Sequence, residues 1–221
     1  MKFLSMKLLE IKDDLSNIDS YLLVIKNRKI LYKLLSNADL QYEDSYIQIL
    51  DENYKVLKVS DYIDFVTSVI NLDANSKKNL NVLLRRIKKE ENEVLIKTSN
   101  EINKKLEECA KQIKLSSPIN IFCDINLDED DVIKMLGISL QDDSPNLVER
   151  INNYINVSFE LRNIKIFIFY NLLAFLDESE LDLLVRANKY NGIKIIDIEN
   201  VEYKTDIFDH IKILDEDICV I

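Results

Sequence analysis

The sequence predicts an α/β protein, a mainly parallel-sheet head with an inserted long-helix leg. Three observations predict it. The final third alternates strand-like and helix-like segments, the rhythm of a parallel sheet covered by helices. Apolar runs of strand length near residues 21, 119, 164, 193 and 218 have the character of strands buried on both faces, so one sheet is expected from both ends of the chain. Between them, Asn75–Leu115 has the pattern of a single amphipathic helix. With 221 residues and 47 % hydrophobic content there is enough chain to bury a proper core, in one large domain or two small ones.

In order along the chain, Met1–Glu10 is short and mixed in charge, without an apolar core and small-residue cleavage site. The first 58 residues read as strands and turns. Tyr21–Ile25 is a compact strand, and Ile30–Leu35 a short helix or strand. Tyr46–Leu50 and Lys55–Val59 straddle Asp51-Glu52-Asn53 as a hairpin. From Ser60 the period changes. Ile63, Val66 and Ile70 space as a helix capped by Ser60 or Asp61 and ending near Asn71. Ser116-Ser117-Pro118 stops the long helix, because proline disfavours helical backbone in the residue before it.

Ile119–Cys123 reads as a buried strand, followed by the acidic run Asp124–Asp131. A helix with Val132, Ile133 and Leu136 closes at Gly137, and Asp142-Asp143-Ser144-Pro145 introduces the next, Asn146–Phe159. Then come strand Ile164–Tyr170, helix Asp177–Asn188, strand Ile193–Ile198 and a last strand Ile218–Ile221. The expected head is 1–58, 117–127 and 160–221, and the expected leg is 59–116 and 128–159.

Composition excludes several classes of chemistry. Gly137 and Gly192 are the only glycines and neither lies in a phosphate-cradling loop, so nucleotide hydrolysis and dinucleotide binding are not expected. His210 is the only histidine, which rules out a multi-histidine metal site within one chain. Cys109, Cys123 and Cys219 read as reduced core thiols. Apolar runs such as Ile164–Leu176 are interrupted too soon to span a bilayer, so a cytoplasmic protein is expected.

The charge is unevenly placed. Eleven Lys or Arg lie between Lys77 and Lys114 against six Glu, a local surplus of +5 in a chain of formal charge -10, leaving -15 elsewhere. An unbroken helix over Asn75–Leu115 would reach roughly 55 Å, more than a domain of this size needs internally. Such a rod presents a cationic surface to a polyanion, or is an amphipathic helix whose polar face is only solvated.

The order of features and several short strings resemble the tetrameric ring protein of the type II-A CRISPR spacer-acquisition module. The most specific strings are Thr67–Ser76 before the long helix, Ile164–Phe169 followed by Ala174-Phe175-Leu176, and Leu214-Asp215-Glu216-Asp217. The resemblance runs from Tyr21 to the C-terminus. It implies a degenerate P-loop-like head lacking the phosphate loop, no catalysis, and four copies enclosing double-stranded DNA at its ends without sequence preference. It also implies calcium, and partnership with the CRISPR integrase subunits and the RNA-guided nuclease in antiviral defence.

Lysines and arginines on such a collar would bind phosphate by counterion release. The candidates are Lys77, Lys78, Arg85, Arg86, Lys88, Lys89, Lys104 and Lys105, of which Lys105 points with the apolar face of a regular helix. No aromatic residue interleaves with them, which argues against single-strand stacking. Asp124, Asp128, Glu129 and Asp131 are the candidate calcium ligands, since hard cations collect carboxylate oxygens. Acidic residues favouring a helix N-terminus would produce the same letters. Phe122 and Ile125 stand where the family has oxygen ligands. Two other readings compete: a scaffold that binds only proteins through the long helix, and a metal-dependent nuclease built on Asp124–Asp131.

Overall fold

The computed structural model describes residues 3–9, 11–37 and 46–221. Contacts divide the chain into a first unit, Met1–Ala74 with Asp142–Ile221, and a second, Asn75–Gln141. The first begins with β1 (Phe3–Met6), β2 (Ile11–Asp14), β3 (Ser20–Ile25), α1 (Arg28–Ser36), β4 (Ile47–Leu50), β5 (Val56–Leu57) and β6 (Ile63–Val66). The second holds α2 (Lys77–Glu90), α3 (Asn92–Ser116) and α4 (Glu129–Leu136). The first then resumes with α5 (Leu147–Arg162), β7 (Ile166–Tyr170), α6 (Glu178–Tyr190), β8 (Lys194–Glu199) and β9 (His210–Leu214).

Among the described residues the first unit has two sheets. One is five-stranded and wholly parallel, in the order β6-β7-β8-β3-β9; the other is antiparallel, β2-β1-β4-β5. Alternation along each parallel strand sends side chains to two separate cores. From β3, Leu22 and Val24 join Phe167 and Phe169 of β7 beneath α5 and α6. Tyr21, Leu23 and Ile25 face the other way, into a core shared with Leu31 and Leu34 of α1 and with Leu4, Met6 and Ile49 of the antiparallel sheet. Burial on both faces is why β3 and β7 read as continuous apolar runs.

The helices around this sheet start at side-chain caps. Asn27 accepts from the amides of Lys29 and Ile30 at the start of α1, and Asn146 from that of Glu149 at the start of α5. Asp177 and Glu180 form a reciprocal capping box on α6. At the end of α5, Asn163 takes the left-handed conformation (φ 58°).

Several expected elements differ. Residues 60–71 do not form a helix: Ile63–Val66 is the edge strand β6, paired with β7. Its spacing misleads because Ile63 and Phe65 serve one core and Val66 the other, which erases the two-residue period. Ile119–Cys123 is not a strand and belongs to the second unit, where it has no ladder partner; Ile119 and Phe122 are 73 % and 86 % exposed. The last strand is His210–Leu214, not Ile218–Ile221. Asp215 folds the chain back there, its Oδ1 accepting from the amides of Asp217 and Cys219, and only Val220 bridges to Leu214. Helix α5 and residues 59–74 belong to the first unit and not to a leg. Cys109 and Cys219 are exposed and Cys123 is half-buried, so none is a core thiol. Of Met1–Glu10, residues 1, 2 and 10 lie outside the described ones; the rest includes β1. No helix among the described residues is long and apolar enough to cross a membrane.

Candidate nucleic-acid interface

The second unit is organised by one small apolar cluster. Leu84 of α2, Leu95 and Ile102 of α3, and Val132 and Ile133 of α4 pack together with Ile138. The expected straight rod is bent at Glu91 (φ -108°, ψ 21°). Six consecutive polar residues, Lys88–Glu93, leave nothing apolar there to hold the chain straight against a neighbour. The interruption is one residue long, since the amide of Glu91 still donates to Ile87 O and that of Leu95 to Glu91 O.

Two asparagines fasten the returning chain. Asn103 donates to Leu127 O and accepts from the Leu127 amide, at 2.9 and 3.0 Å. Asn75 does the same to Leu140, at 2.9 and 2.6 Å. Sequence reading missed both, because an amide that clamps a backbone many residues away leaves no local pattern.

Ser76 caps α2 by accepting from the amide of Asn79. At 100° per residue, Lys78, Arg85 and Lys89 fall on one narrow line, opposite Leu80, Leu84 and Ile87. All three basic residues are exposed, as are Lys77, Arg86, Lys104 and Lys105. Arg85 Nε donates to Asn81 O, which orients the guanidinium along the helix. Arg86 lies 3.9 Å from Glu90, a surface pair of little strength. Lys77, Lys89, Lys104 and Lys105 make no ion pair among the described residues.

Lys88 does not belong with these. Its Nζ is 2.7 Å from Asp130 Oδ1 across to α4, and this hydrogen bond, reinforced by the charges of Asp130, Glu129 and Asp128, holds its pKa above the ordinary lysine value. The charge of Lys88 is answered within the unit by a partner 42 residues away, which the linear sequence hid.

The acidic run is arranged as a helix start. Asp128 Oδ1 accepts from the Asp131 amide at 3.0 Å, and Asp131 Oδ2 accepts from the Asp128 amide at 3.2 Å. Asp131 also accepts from Lys134, which with the Asp128 amide holds its carboxyl below the usual range. Asp124 stands apart, lining a shallow depression with Glu107, Cys123, Lys111 and Lys114, two of which would repel a cation. Glu129 is half-buried in the first turn of α4. Asp124, Asp128, Glu129 and Asp131 therefore do not converge, and no group of three or more metal-ligating side chains forms among the described residues. As arranged, they do not fit a calcium ion that needs six to eight oxygens.

Together these features describe a two-unit α/β protein, with a parallel-sheet first unit and a second unit whose α2 carries a basic stripe. The chain belongs to the Csn2 family of CRISPR-associated proteins, whose family model, described as "CRISPR-associated protein (Cas_Csn2)", matches residues 41–218. It is similar in fold to the crystal structure of Stu0660 of Streptococcus thermophilus, at 16 % identity and a TM-score of 0.56, over 97 % of this chain and 74 % of that one. No curated protein matches.

Proposed function

We propose that the protein is a non-catalytic, sequence-independent binder of double-stranded DNA and its ends. In this reading it acts in CRISPR spacer acquisition and holds the duplex in the basic central hole of a homotetrameric ring. The exposed line of Lys78, Arg85 and Lys89, opposite the apolar side of α2, carries this reading. Point cations along one helix face match the phosphate backbone, which dominates affinity and carries no base information. Membership of a CRISPR-associated family supports the setting: partnership with the integrase subunits and the RNA-guided nuclease, in the cytoplasm, without a nucleotide.

Self-assembly draws support from apolar residues that the second unit leaves uncovered. Leu106 and Ile113, seven residues apart on α3, are 41 % and 48 % exposed, and Leu115 and Phe122 far more so. These same residues favour a second reading, a scaffold that binds only proteins, because a chain of net charge -10 repels DNA over most of its surface. Calcium stays part of the proposal only if ligands come together on assembly. A nuclease finds no support in the acidic run, whose oxygens cap α4 and pair with lysines.

A gel-shift series with linear and closed circular duplex of equal length separates these readings. The ring predicts capture of linear DNA and poor capture of circles. Equal capture of both overturns threading, and no capture of either leaves the scaffold.

A further inference from the structure

Strand β8 carries two carboxyl groups that DNA binding does not use. Alternation sets Asp197 and Glu199 on the same face as Ile195, the face covered by α5 and α6. Register places Asp197 between Leu22 of β3 and Phe169 of β7, and Glu199 beside Val24. Both residues are fully buried. Asp197 Oδ1 accepts from the Leu172 amide at 3.1 Å, and Glu199 Oε1 from the Leu173 amide at 2.9 Å. The second oxygens, Asp197 Oδ2 and Glu199 Oε2, are buried and receive no donor among the described residues. The two side chains stand two residues apart on one face of the strand, so these oxygens lie in the same apolar layer.

Two ionised carboxylates are acceptors only and cannot satisfy each other, and no cation pairs with either among the described residues. One must carry a proton. Burial, and then the charge of Glu199, push the Asp197 carboxyl well above its ordinary range, and burial raises that of Glu199 as well. The proton therefore belongs to the pair. Tyr203 is the other titratable group that senses the pair, itself raised by burial and by both carboxyls. The residues facing the pair from β3, β7 and α6 are apolar: Leu22, Val24, Phe167, Phe169, Leu181 and Leu184. Asp64, on the same face of the sheet, is engaged by Arg162 and Tyr154.

We propose that Asp197 and Glu199 share one proton at neutral pH, and that this proton is a latch fastening the turn Leu172–Ala174, which follows β7, onto β8. Losing it sets two charges side by side in an apolar layer with no cation to separate them, and the turn is released. The native state holds a proton that the unfolded chain gives up above the ordinary carboxyl values of 3.8 and 4.5. The stabilisation is therefore complete below those values and is lost as pH rises towards the pair's own pKa.

Asp197→Asn tests this, because a carboxamide can accept from Leu172 and donate to Glu199 as the protonated acid does. Above about pH 5 the unfolding constant of the parent should rise up to about tenfold per pH unit more steeply than that of Asp197→Asn. The infrared carbonyl band of a buried carboxylic acid, present in the parent at pH 7, should vanish in the variant. Amide protection at Leu172 and Leu173 should fall with pH in the parent and stay level in the variant. Equal slopes, or no acid band in the parent, overturn the shared proton; protection independent of pH in the parent overturns the latch. Glu199→Gln gives the same comparison should Asp197→Asn fold poorly.

Discussion

Asp64 lies on the edge strand of the parallel sheet at 2 % exposure, where a lone carboxylate would be prohibitively desolvated. Two residues from α5 make it tenable. Tyr154 Oη donates to Asp64 Oδ2 at 2.6 Å, and Arg162 forms an ion pair with the same oxygen. The pair ties the last turn of α5 to β6. Buried ion pairs add little over a well-packed apolar substitute, yet removing one partner strands the other. Asp64→Ala should therefore cost about 3–5 kcal/mol, read as a lower urea midpoint with an unchanged slope. Asp64→Ala with Arg162→Met should cost less than the two single changes summed, since the second removes the charge that the first leaves unpaired. Strict additivity would show that the two side chains do not act as a pair.

At the scale of elements, α4 is the case where one run of letters had two meanings. Asp128 and Asp131 close a capping box, so Asp128→Ala should lower stability by about 1 kcal/mol and loosen amide protection at the start of α4. The pH dependence has a definite sign. The Asp131 carboxyl lies below its ordinary 3.8 in the folded protein, so its contribution is full above that value and is lost as pH falls below it. Asp131→Asn, which cannot ionise, should flatten this acid limb in a thermal-melt series; an unchanged limb would place the acid sensitivity elsewhere. Elements with a self-contained signal were legible in the sequence: the apolar runs of β3 and β7, strand β8, the acidic start of α6, and Gly137 in its left-handed cap (φ 59°). Elements defined by distant partners were not. β6 hides its period between two cores and holds an aspartate whose arginine lies 98 residues away. β9 alternates because only β3 flanks it, and 119–123 is apolar without being covered. Within the candidate interface, exposure of six of the eight basic residues follows from helical periodicity; Lys105, which a regular helix points with the apolar face, is exposed as well, and the pairing of Lys88 with Asp130 required the fold.

At the scale of the whole molecule, the proposed reading asks how a chain of net charge -10 would approach a polyanion at all. Screening supplies the answer. At physiological salt the Debye length is about 8 Å, so carboxylates farther than that from the basic face of α2 act weakly on a phosphate seated there. The charges of Lys78, Arg85 and Lys89 would then dominate, and the proposed hold on phosphate should weaken with salt as counterions compete. Reversing two charges in Arg85→Glu with Lys89→Glu leaves two fewer phosphates neutralised per subunit and adds local repulsion. The bend at Glu91 and the apolar cluster of Leu84, Leu95, Ile102, Val132 and Ile133 are untouched, because both substituted side chains lie on the solvent side of α2. The double variant should keep the parent's mass in sedimentation while its duplex affinity drops. The plot of log affinity against log salt should become shallower by about 0.9 for each phosphate no longer neutralised. Parent-like affinity and slope in a variant of unchanged mass would move the DNA surface off α2, whereas a fall in mass would show that this face joins the copies to each other.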